Sequence, residues 1–484
     1  MNVLFVSPEV NPLVRTGGLG DVVGSLPLAL KKLGIDVRII CPFHRECKGI
    51  ESKTLKKNFV VKIRKKSITG SIRQTKLGNS DVPAYMIDLP EFYDRNGIYS
   101  DEHGDFPDNA QRAFVLSQVA LELQSVTSWQ PDIIHAHDWM AAPVCAYVNA
   151  IPSAKTVQPK IRTVLTIHNL QHQGIFSHED FKTSGLPESN WAMDGFEKDG
   201  LLNLLKGGIQ HADKITTVSP TYASEIRTKE YGCGLEASLE YRGADLMGIL
   251  NGIDESSWDP QEDSSLVKPI NPSRPKSGKL ACKQALLEEL NMESDIDSPL
   301  FGVVSRLYDQ KGLDLLIELL PQLMAESHAN FAILGSGDPH EEQAIRELSV
   351  SFPHRIGCFI GFDDGLARRI FAGSDFFLMP SRFEPCGLAQ QYAMRYGSLP
   401  IARKTGGLAD TILPISRGEK NCNGFLFKNA SAKELWGAVQ QALEVFANNR
   451  KFTRMRKNAL SRNCGWKYAA EQYIQAYKWA LEMP

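Results

Sequence analysis

Short runs of apolar residues alternate along the chain with longer stretches whose apolar positions recur at helical spacing, and glycine-bearing turns separate the two. Residues 3–6 predict a buried strand and residues 15–21 a glycine-rich loop. Residues 22–32 then predict a helix, and residues 37–40 a second strand. Continuous apolar strands followed by amphipathic helices are typical of βα units, so the pattern predicts a parallel sheet.

The same pattern runs through the first half of the chain and returns in the second. In the first half, residues 133–136, 163–167 and 214–218 predict strands, and residues 109–125 predict a helix. Residues 258–276 include four prolines and show no apolar periodicity, which predicts a surface loop. From residue 299 onward, five further runs predict strands: LFGVVSRL, NFAILGSG, RIGCFIGF, DFFLMPS and GSLPIAR.

Two similar α/β halves follow from this order, with the crossover near residues 246–254. We expect the first half to comprise residues 1–247 together with 462–484, and the second half residues 254–461. The returning segment is included because residues 468–481 predict a helix that is aromatic on one face. Such a face predicts that the last helix packs back on the first half.

Composition changes this picture little, but it excludes several classes of protein. The 484 residues include 54 Lys and Arg against 56 Asp and Glu, a formal net charge of −2, so no global charge attracts nucleic acid or a membrane surface. An anionic ligand must therefore be bound by local charges. No apolar run approaches the length of a spanning helix, and the start MNVLFVSPEVNP lacks the pattern of a secretory signal. We expect a cytoplasmic protein.

The nine cysteines do not form a recognisable metal or disulfide pattern. None belongs to a CxxC pair or lies near histidine at zinc spacing, so reduced thiols are expected and no metal centre is predicted.

Two glycine-rich segments resemble each other: RTGGLGDVVGSLP at 15–27 and KTGGLADTILPI at 404–415. Each precedes a predicted helix and so offers free backbone N–H groups at a helix N-terminus, where the dipole favours an anion. Taken alone, each turn is more often a structural helix cap than a ligand site, because glycine is common at turns.

Two basic residues follow a predicted strand of the second half. In VVSRLYDQKGLDLL the strand is expected to end at Ser305 and the helix to begin near Gly312, which would place Arg306 and Lys311 in the connecting loop. Open α/β sheets bind ligands at the carboxyl ends of their strands, so these cations are candidates for binding phosphate. The alternative is a pair of solvated loop charges.

The segment PSRFEPCGLAQQYAMRYGSLP carries a second candidate group. A strand ending near Met379 leads to Glu384, and Cys386, Gly387 and Leu388 are predicted in the first turn of the next helix. A buried carboxylate needs hydrogen-bond donors, which sugar hydroxyls would supply. The alternative is a structural ion pair between Arg382 and Glu384.

Histidines follow two strands of the first half, in HAHDW at 135–139 and TIHNLQHQG at 166–174. Two such strand ends at one sheet edge favour a crevice, but spacing alone does not distinguish a proton-transfer base from a hydrogen-bond donor. Core or surface histidines are the ordinary alternative. Metal binding is not favoured, because no clustered carboxylates accompany the rings.

Taken together, these segments resemble one family over nearly the whole chain. RTGGLGDV, HAHDW, TIHNLQHQG, TTVSPTYASEI, LNGID, VSRLYDQKG, SRFEPCGLAQ and KTGGLAD occur in the order typical of bacterial glycogen synthases and plant starch synthases. The resemblance implies a GT-B fold, with two Rossmann-like domains facing an interdomain cleft. It also implies a retaining glycosyltransferase that moves glucose from ADP-glucose to the non-reducing end of an α-1,4-glucan.

By resemblance, residues 1–247 and 462–484 form the acceptor-side domain, and residues 254–461 the nucleotide-sugar domain. The donor's diphosphate, adenine and glucose would be bound by Arg15, Gly18, Asn251, Phe362, Cys386, Gly387 and Leu388. The catalytic set would be His168, Arg306, Lys311 and Glu384, while Asp21 and Asp138 would line the cleft, Asp138 towards the acceptor. Phe362 would stack on adenine. The resemblance requires no metal and no cofactor beyond the donor substrate.

Three positions depart from the family pattern. Arg15 stands where the family usually has Lys, which keeps the charge but replaces a compact ammonium with a planar group. Met140 stands where many members have His. Tyr392 occupies the position, eight after Glu384, at which many retaining GT-B enzymes carry a second Glu, although this family commonly lacks it.

Two other classes of protein are considered. A dinucleotide dehydrogenase is disfavoured, because no GxGxxG with a later acidic residue follows the first strand. A non-enzymatic glucan-binding scaffold is the closer rival, since a fold can persist without its activity. The joint presence of His168, Arg306, Lys311 and Glu384 favours the enzyme.

Overall fold

The computed structural model describes residues 1–64, 66–150, 160–293, 295–418 and 420–483. The chain divides into two compact units. The first comprises Met1–Gly252 and Trp466–Pro484, and the second comprises Ile253–Gly465.

The described residues of the first unit form a large sheet and two small ones. Its strands are β1 (Asn2–Val6), β2 (Asp36–Pro42), β3 (Lys53–Thr54), β4 (Phe59–Ile63), β5 (Lys66–Lys76), β6 (Pro83–Asp88), β7 (Ser100–Asp101), β8 (Gly104–Asp105), β9 (Ile133–His137), β10 (Arg162–Ile167), β11 (Ile175–Phe176), β12 (Glu197–Lys198), β13 (Leu201–Asn203), β14 (Lys214–Thr217) and β15 (Leu246–Gly248).

The large sheet has a parallel centre and an antiparallel extension. Its order is β15-β14-β10-β9-β1-β2-β6-β5-β3, with β4 also paired to β5. The strands from β15 to β6 are parallel, and those beyond β6 are antiparallel. The carboxyl ends of β1, β9 and β10 therefore lie at one edge, where their loops meet.

Helices cover this sheet: Gly18–Lys32, Pro90–Tyr93, Asn109–Thr127, Asp138–Ala141, Val144–Ala150, His178–Phe181, Leu204–His211, Pro220–Glu225, Glu236–Tyr241 and Trp466–Leu481. The last of them buries Tyr473 and Tyr477 in the apolar cluster that also holds Val3 and Phe5 of β1. The Tyr477 hydroxyl lies 2.8 Å from Nδ1 of His135, so this helix contacts the middle of β9.

In the second unit, the residues that the structure describes form one parallel sheet with helices on both faces. Its strands are β16 (Leu300–Leu307), β17 (Asn330–Gly337), β18 (Ile356–Ile360), β19 (Phe376–Met379), β20 (Leu399–Arg403) and β21 (Phe425–Phe427), in the order β18-β17-β16-β19-β20-β21. Its helices are Lys276–Glu289, Leu313–Glu326, Pro339–Ser351, Asp364–Gly373, Ala389–Arg395, Gly406–Thr411, Ala432–Ala447 and Asn449–Leu460.

Separate apolar clusters cover the two faces of this sheet. One joins stacked phenylalanines of three strands, Phe301, Phe331 and Phe376, to the helix Leu313–Glu326. The other packs Phe377 of β19 against the helix that carries Phe371. Burial of both faces explains why these strands read as unbroken apolar runs.

The predicted α/β fold class is confirmed, but several predicted boundaries are wrong. The second glycine-rich segment contains its helix, Gly406–Thr411, and does not precede one. Strand β16 runs to Leu307, so Arg306 is paired with Ser336 of β17 and does not lie in the loop. The helix after Glu384 begins at Ala389, because Gly387 has φ of +67°, outside the helical region. The first helix begins at Gly18, within the predicted loop.

Among the described residues, no helix is long and apolar enough to cross a membrane.

Candidate active site

The second unit brings Lys311 and Glu384 into direct contact. Lys311 ends a short 3-10 turn after β16, and Glu384 lies in the loop after β19, the neighbouring parallel strand. Lys311 Nζ donates to Oε2 of Glu384 at 2.6 Å, and the Ser381 hydroxyl donates to the same oxygen at 3.1 Å. The side chains are only 18% and 9% exposed, so the ion pair is largely shielded from water.

Backbone contacts hold these two loops together. The amide of Arg382 donates to the Gln310 carbonyl at 2.8 Å, and the Gln310 side chain donates to the Phe383 carbonyl at 3.2 Å. Gly312 has φ of +65°, and a Cβ there would clash with the Pro380 carbonyl. A glycine is therefore required where the loop turns into its helix.

Arg382 does not pair with Glu384, which contradicts the alternative ion pair. Its guanidinium donates to both carboxylate oxygens of Asp314 at 2.7 Å, a bidentate pair outside the buried site. This pair raises the pKa of Arg382 and lowers that of Asp314. The counter-charge of Glu384 is instead Lys311.

A cavity of about 200 Å³ lies at the carboxyl ends of β16 and β19. Polar, basic and apolar residues line it together: Val304, Ser305, Arg306, Lys311, Leu313, Leu378, Met379, Pro380, Ser381 and Ala389. It is thus a concave site with two cations at its wall, which suits a small anionic group.

Two predicted residues lie exposed at this edge of the second unit. Arg306 is exposed, with its guanidinium carbon 5.9 Å from the centroid of the Tyr308 ring. Phe362 follows β18 and is 81% exposed, far more than an aromatic side chain in a core. An exposed phenylalanine after a strand of this sheet provides a flat apolar surface for stacking.

The two most distinctive motifs of the second half pack directly against each other. The amide of Gly407 donates to the Glu384 and Pro385 carbonyls, each at 3.1 Å. A Cβ on Gly407 would clash with the Cys386 carbonyl, and one on Gly406 with that of Glu384. The KTGGLAD glycines therefore allow close approach to the Glu384 loop, a role that the helix-cap interpretation did not predict.

In the first unit, Asp138 and His168 meet at the ends of the adjacent strands β9 and β10. The amide of His168 donates to Asp138 Oδ1 at 2.6 Å. Asp138 adopts a left-handed φ of 56° at the start of its helix. Nδ1 of His137 lies 2.9 Å from Nε2 of His168, so one of the two rings donates a hydrogen bond to the other.

Burial controls the charge of this cluster. It lowers the pKa of His168 to about 3 and holds those of His135 and His137 well below the ordinary value, with repulsion between the rings as a further cause. Burial also raises the pKa of Asp138 to about 7, against the lowering effect of the His168 and Asn169 amides. Near neutral pH the three imidazoles are therefore uncharged.

The glycine-rich loop of the first unit is held by acidic side chains. Arg15 donates to Asp21 Oδ1 at 2.7 Å, and the side-chain Nδ2 of Asn11 donates to the same oxygen at 2.9 Å. Gly18 begins the first helix, with open space where a Cβ would lie. Asn251 is buried in the segment after β15.

Sequence reasoning missed Glu9, which is 3% exposed and accepts hydrogen bonds from the Thr16 and Gly17 amides at 2.6 and 3.2 Å. An acidic residue between a buried strand and a glycine-rich loop was the available signal. It also missed Ser381 and the ring contact of His137, for which spacing gives no signal. Within the described ranges, no group of three His, Cys, Asp or Glu is arranged to hold a metal ion.

Comparison with known proteins defines the class. Residues 2–241 match the family model described as starch synthase catalytic domain, and residues 290–462 match glycosyl transferases group 1. The sucrose-phosphate synthase of Thermosynechococcus elongatus, 18% identical with a TM-score of 0.58, covers 99% of this chain and 98% of its own and shares the fold. The chain is a glycosyltransferase with the GT-B fold.

Full-length relatives define the family. Glycogen synthase 2 of Geobacter sulfurreducens is 40% identical over 484 residues, covering 100% of this chain and 99% of that protein. The glycogen synthase of Geotalea daltonii is 41% identical over 99% of both chains. The catalytic domain of Arabidopsis thaliana starch synthase IV, solved with ADP and acarbose, has a TM-score of 0.90 at 32% identity and covers 99% of both chains. The chain belongs to the glycogen and starch synthase family.

Proposed function

We propose that this enzyme transfers glucose from ADP-glucose to the non-reducing end of an α-1,4-glucan and so elongates glycogen. The observation that carries the proposal is the cavity of the second unit, with Arg306 and Lys311 at its wall and Glu384 held beside them. A leaving diphosphate needs fixed positive charge, and the sugar needs a hydrogen-bond acceptor. Relatives named glycogen synthase and a neighbour solved with ADP support the same assignment.

In this proposal the second unit binds the nucleotide. Arg306 and Lys311 neutralise the diphosphate, the Gly387 and Leu388 amides bind its oxygens, and Cys386 shapes the turn. The exposed ring of Phe362 stacks on adenine. Nucleotide binding changes the charges around Glu384, because the diphosphate competes with this carboxylate for Lys311.

The first unit contributes the remaining groups. Gly18 binds the diphosphate through its amide, and His168 and Asn251 hold the transferred glucose. His168 acts there as a neutral hydrogen-bonding group, because burial keeps its pKa at about 3. Asp138 contacts the acceptor. Arg15 is paired with Asp21, so we assign both to the shape of the loop.

Catalysis in this scheme depends on positioning and on the charge of the departing diphosphate. We propose retention by front-face attack: the acceptor hydroxyl attacks the anomeric carbon on the side from which ADP leaves, and a phosphate oxygen takes the hydroxyl proton. Charge on the diphosphate is met by side chains, and the proposal includes no cofactor. Trapping of a covalent glucosyl-enzyme on Glu384 or Asp138 would contradict it.

The test is transfer of labelled glucose from ADP-glucose to glycogen, with UDP-glucose run in parallel. Incorporation into α-1,4-linked chains, with ADP released in equal amount, is the expected result. Glycogen binding without transfer from either donor would instead support a non-enzymatic glucan-binding scaffold. Preference for UDP-glucose would correct the donor but keep the reaction. The cytoplasm, where soluble nucleotide sugars and glycogen meet, is the proposed location.

A further inference from the structure

Glu9 is a buried carboxylate that the proposed mechanism does not use. It lies between β1 and the helix Gly18–Lys32, and only 3% of it is exposed. Its Oε2 accepts the amides of Thr16 and Gly17, and its Oε1 accepts the Tyr99 hydroxyl at 2.7 Å. A single carboxylate thus joins the glycine-rich loop to a residue 90 positions away.

The Tyr99 end of this contact is itself fixed. The Asn109 side chain donates to the Tyr99 carbonyl at 2.8 Å, and buried Arg112 donates to Ile98 at 2.7 Å. Burial, together with the charge of Glu9, holds the pKa of Tyr99 well above its usual value, so the hydroxyl stays a donor. The carboxylate is therefore anchored on one side by the body of the first unit.

On its other side the carboxylate determines which loop amides remain available. The backbone amides of Thr16 and Gly17 donate to Glu9. The first amides of a helix, here those from Gly18 onward, have no hydrogen-bond partner within the helix. The space where Cβ atoms of Gly17 and Gly18 would lie is open. By contrast, a Cβ on Gly20 would clash with Arg15 and approach Glu9 to 3.3 Å. The loop therefore packs closely on the side that faces Glu9 and leaves space for a ligand at Gly18.

We propose that Glu9 is a positioning residue for the nucleotide sugar: its carboxylate folds the Thr16–Gly17 turn so that the amides from Gly18 onward can bind the donor's diphosphate. This inference rests on the proposed function, which assigns the diphosphate to the same loop. Glu9 does not touch the donor in this assignment. Tyr99 positions the carboxylate in turn.

Three substitutions test the proposal. Glu9→Ala removes both acceptors, so the loop loses its anchor. Glu9→Gln keeps the length, and its amide oxygen can still accept from the turn while its NH₂ donates to the Tyr99 oxygen. Tyr99→Phe keeps the ring and removes one hydrogen bond. Glu102→Ala is the matched control, because that side chain is 87% exposed in the same unit.

The readouts are the Kd of ADP by calorimetry, the KM and kcat for ADP-glucose, and thermal unfolding. We expect Glu9→Ala to weaken ADP binding and raise KM by about tenfold or more, the effect of losing hydrogen bonds to a charged group. For Glu9→Gln, the Kd and KM should stay within about threefold of the wild-type values. Those of Tyr99→Phe should lie between the values for Glu9→Gln and Glu9→Ala. A merely structural role would lower the unfolding temperature without changing the Kd or KM of the folded protein.

Unchanged ADP affinity in folded Glu9→Ala would overturn the proposal, as would a loss in Glu9→Gln equal to that in Glu9→Ala. If Glu9→Ala does not fold, Tyr99→Phe decides: weaker ADP binding supports the proposal, and unchanged binding overturns it. A wild type that binds ADP but transfers no glucose contradicts the proposed function alone, since ADP affinity still tests Glu9. A wild type that binds neither ADP nor UDP overturns both, whereas a wild type that binds only UDP corrects the donor, and the same variants are then compared by their Kd for UDP.

Discussion

Lys311 Nζ lies 2.6 Å from Oε2 of Glu384, although 73 residues separate the two in sequence. The pair joins the ends of the adjacent parallel strands β16 and β19. Each charge offsets the burial of the other, and Ser381 supplies a second donor to the same oxygen. In the proposed reaction the diphosphate replaces Glu384 as the partner of Lys311, which frees the carboxylate to accept sugar hydroxyls.

Replacing Lys311 by methionine should therefore affect both activity and stability. We expect kcat to fall about 10² to 10³-fold, because a cation that stabilises the leaving group is lost. We also expect a loss of about 3 kcal/mol of unfolding free energy, because Glu384 stays buried without its counter-charge. Glucose transfer and urea unfolding measure the two effects.

The double variant Lys311→Met with Glu384→Gln separates the effect on activity from the effect on stability. It should recover most of the stability, because no unpaired charge remains, but none of the activity. Lys433→Ala, an exposed position of the same unit, is the control and should match wild type in both assays. Recovery of transfer in the double variant would show that Lys311 acts only through Glu384.

Gly407 should not tolerate a side chain. A Cβ there would clash with the Cys386 carbonyl, so Gly407→Ala must separate the KTGGLAD turn from the Glu384 loop. We expect the free energy of unfolding to fall by about 1–3 kcal/mol and the KM for ADP-glucose to rise. The control is Gly437→Ala, in the helix Ala432–Ala447 with nothing near the added Cβ, which should stabilise by about 0.5–1 kcal/mol. Equal unfolding temperatures for the two variants would contradict this packing.

Phe362→Ala should weaken donor binding at little cost in stability. The ring is 81% exposed, so its removal leaves no cavity, whereas loss of a stacking surface costs about 1–3 kcal/mol, a KM increase of about tenfold to a hundredfold. We expect kcat to change little and Phe362→Tyr to keep the wild-type KM. Tyr468→Ala, which removes another exposed ring, is the control. A KM unchanged in Phe362→Ala would remove adenine stacking from the proposal.

His168 should make the protein less stable in acid. Its pKa is 6.5 for an ordinary histidine and about 3 in the folded chain, so below about pH 6.5 only the unfolded state takes up its proton. The stability contributed at neutral pH is therefore lost as the pH falls, by about 2 kcal/mol between about pH 6.5 and 5. Asp138, whose pKa is raised to about 7, contributes with the opposite sign: its protonation stabilises the folded state as the pH falls. Urea unfolding across this pH range measures the net slope.

His168→Asn removes this contribution together with the repulsion of its ring on His135 and His137, while the backbone amide that contacts Asp138 remains. We expect the variant to lose about 2 kcal/mol less than wild type over the same pH range, with His135, His137 and Asp138 common to both. Parallel curves for the two proteins would show that His168 is not held neutral by burial.

Most of the fold could be predicted from the sequence, because unbroken apolar runs and amphipathic helices follow from burial on both sheet faces. The errors lie at boundaries. Arg306 was assigned to a loop because the strand was expected to end at Ser305. Strands β16 and β17 stay paired as far as Leu307 and Gly337, so Arg306 is the second-last residue of its strand. Gly387 was assigned to a helix, although its left-handed φ places it in the turn before one.

Lys311 and Glu384 were both candidates from the sequence, but the sequence did not predict that they pair with each other. Arg382 was the nearest cation to Glu384 in sequence, yet it pairs with Asp314, because the loop turns its side chain away from the cavity. Glu9 was not predicted, because its position before the glycine-rich loop does not reveal its partners, which are two backbone amides and the distant Tyr99 hydroxyl. Hydrophobic periodicity carries no information about contacts of this kind.

By itself the sequence determined the class of fold, the order of its βα units and the motifs that place the chain in its family. These depend on local composition and spacing, which each short segment carries on its own. Only the tertiary structure decided that Lys311 neutralises Glu384, that the KTGG glycines pack on the Glu384 loop and that Glu9 holds the Thr16–Gly17 turn. Each of these contacts joins segments distant in the chain, so burial and hydrogen bonding could select them only after the strands had paired.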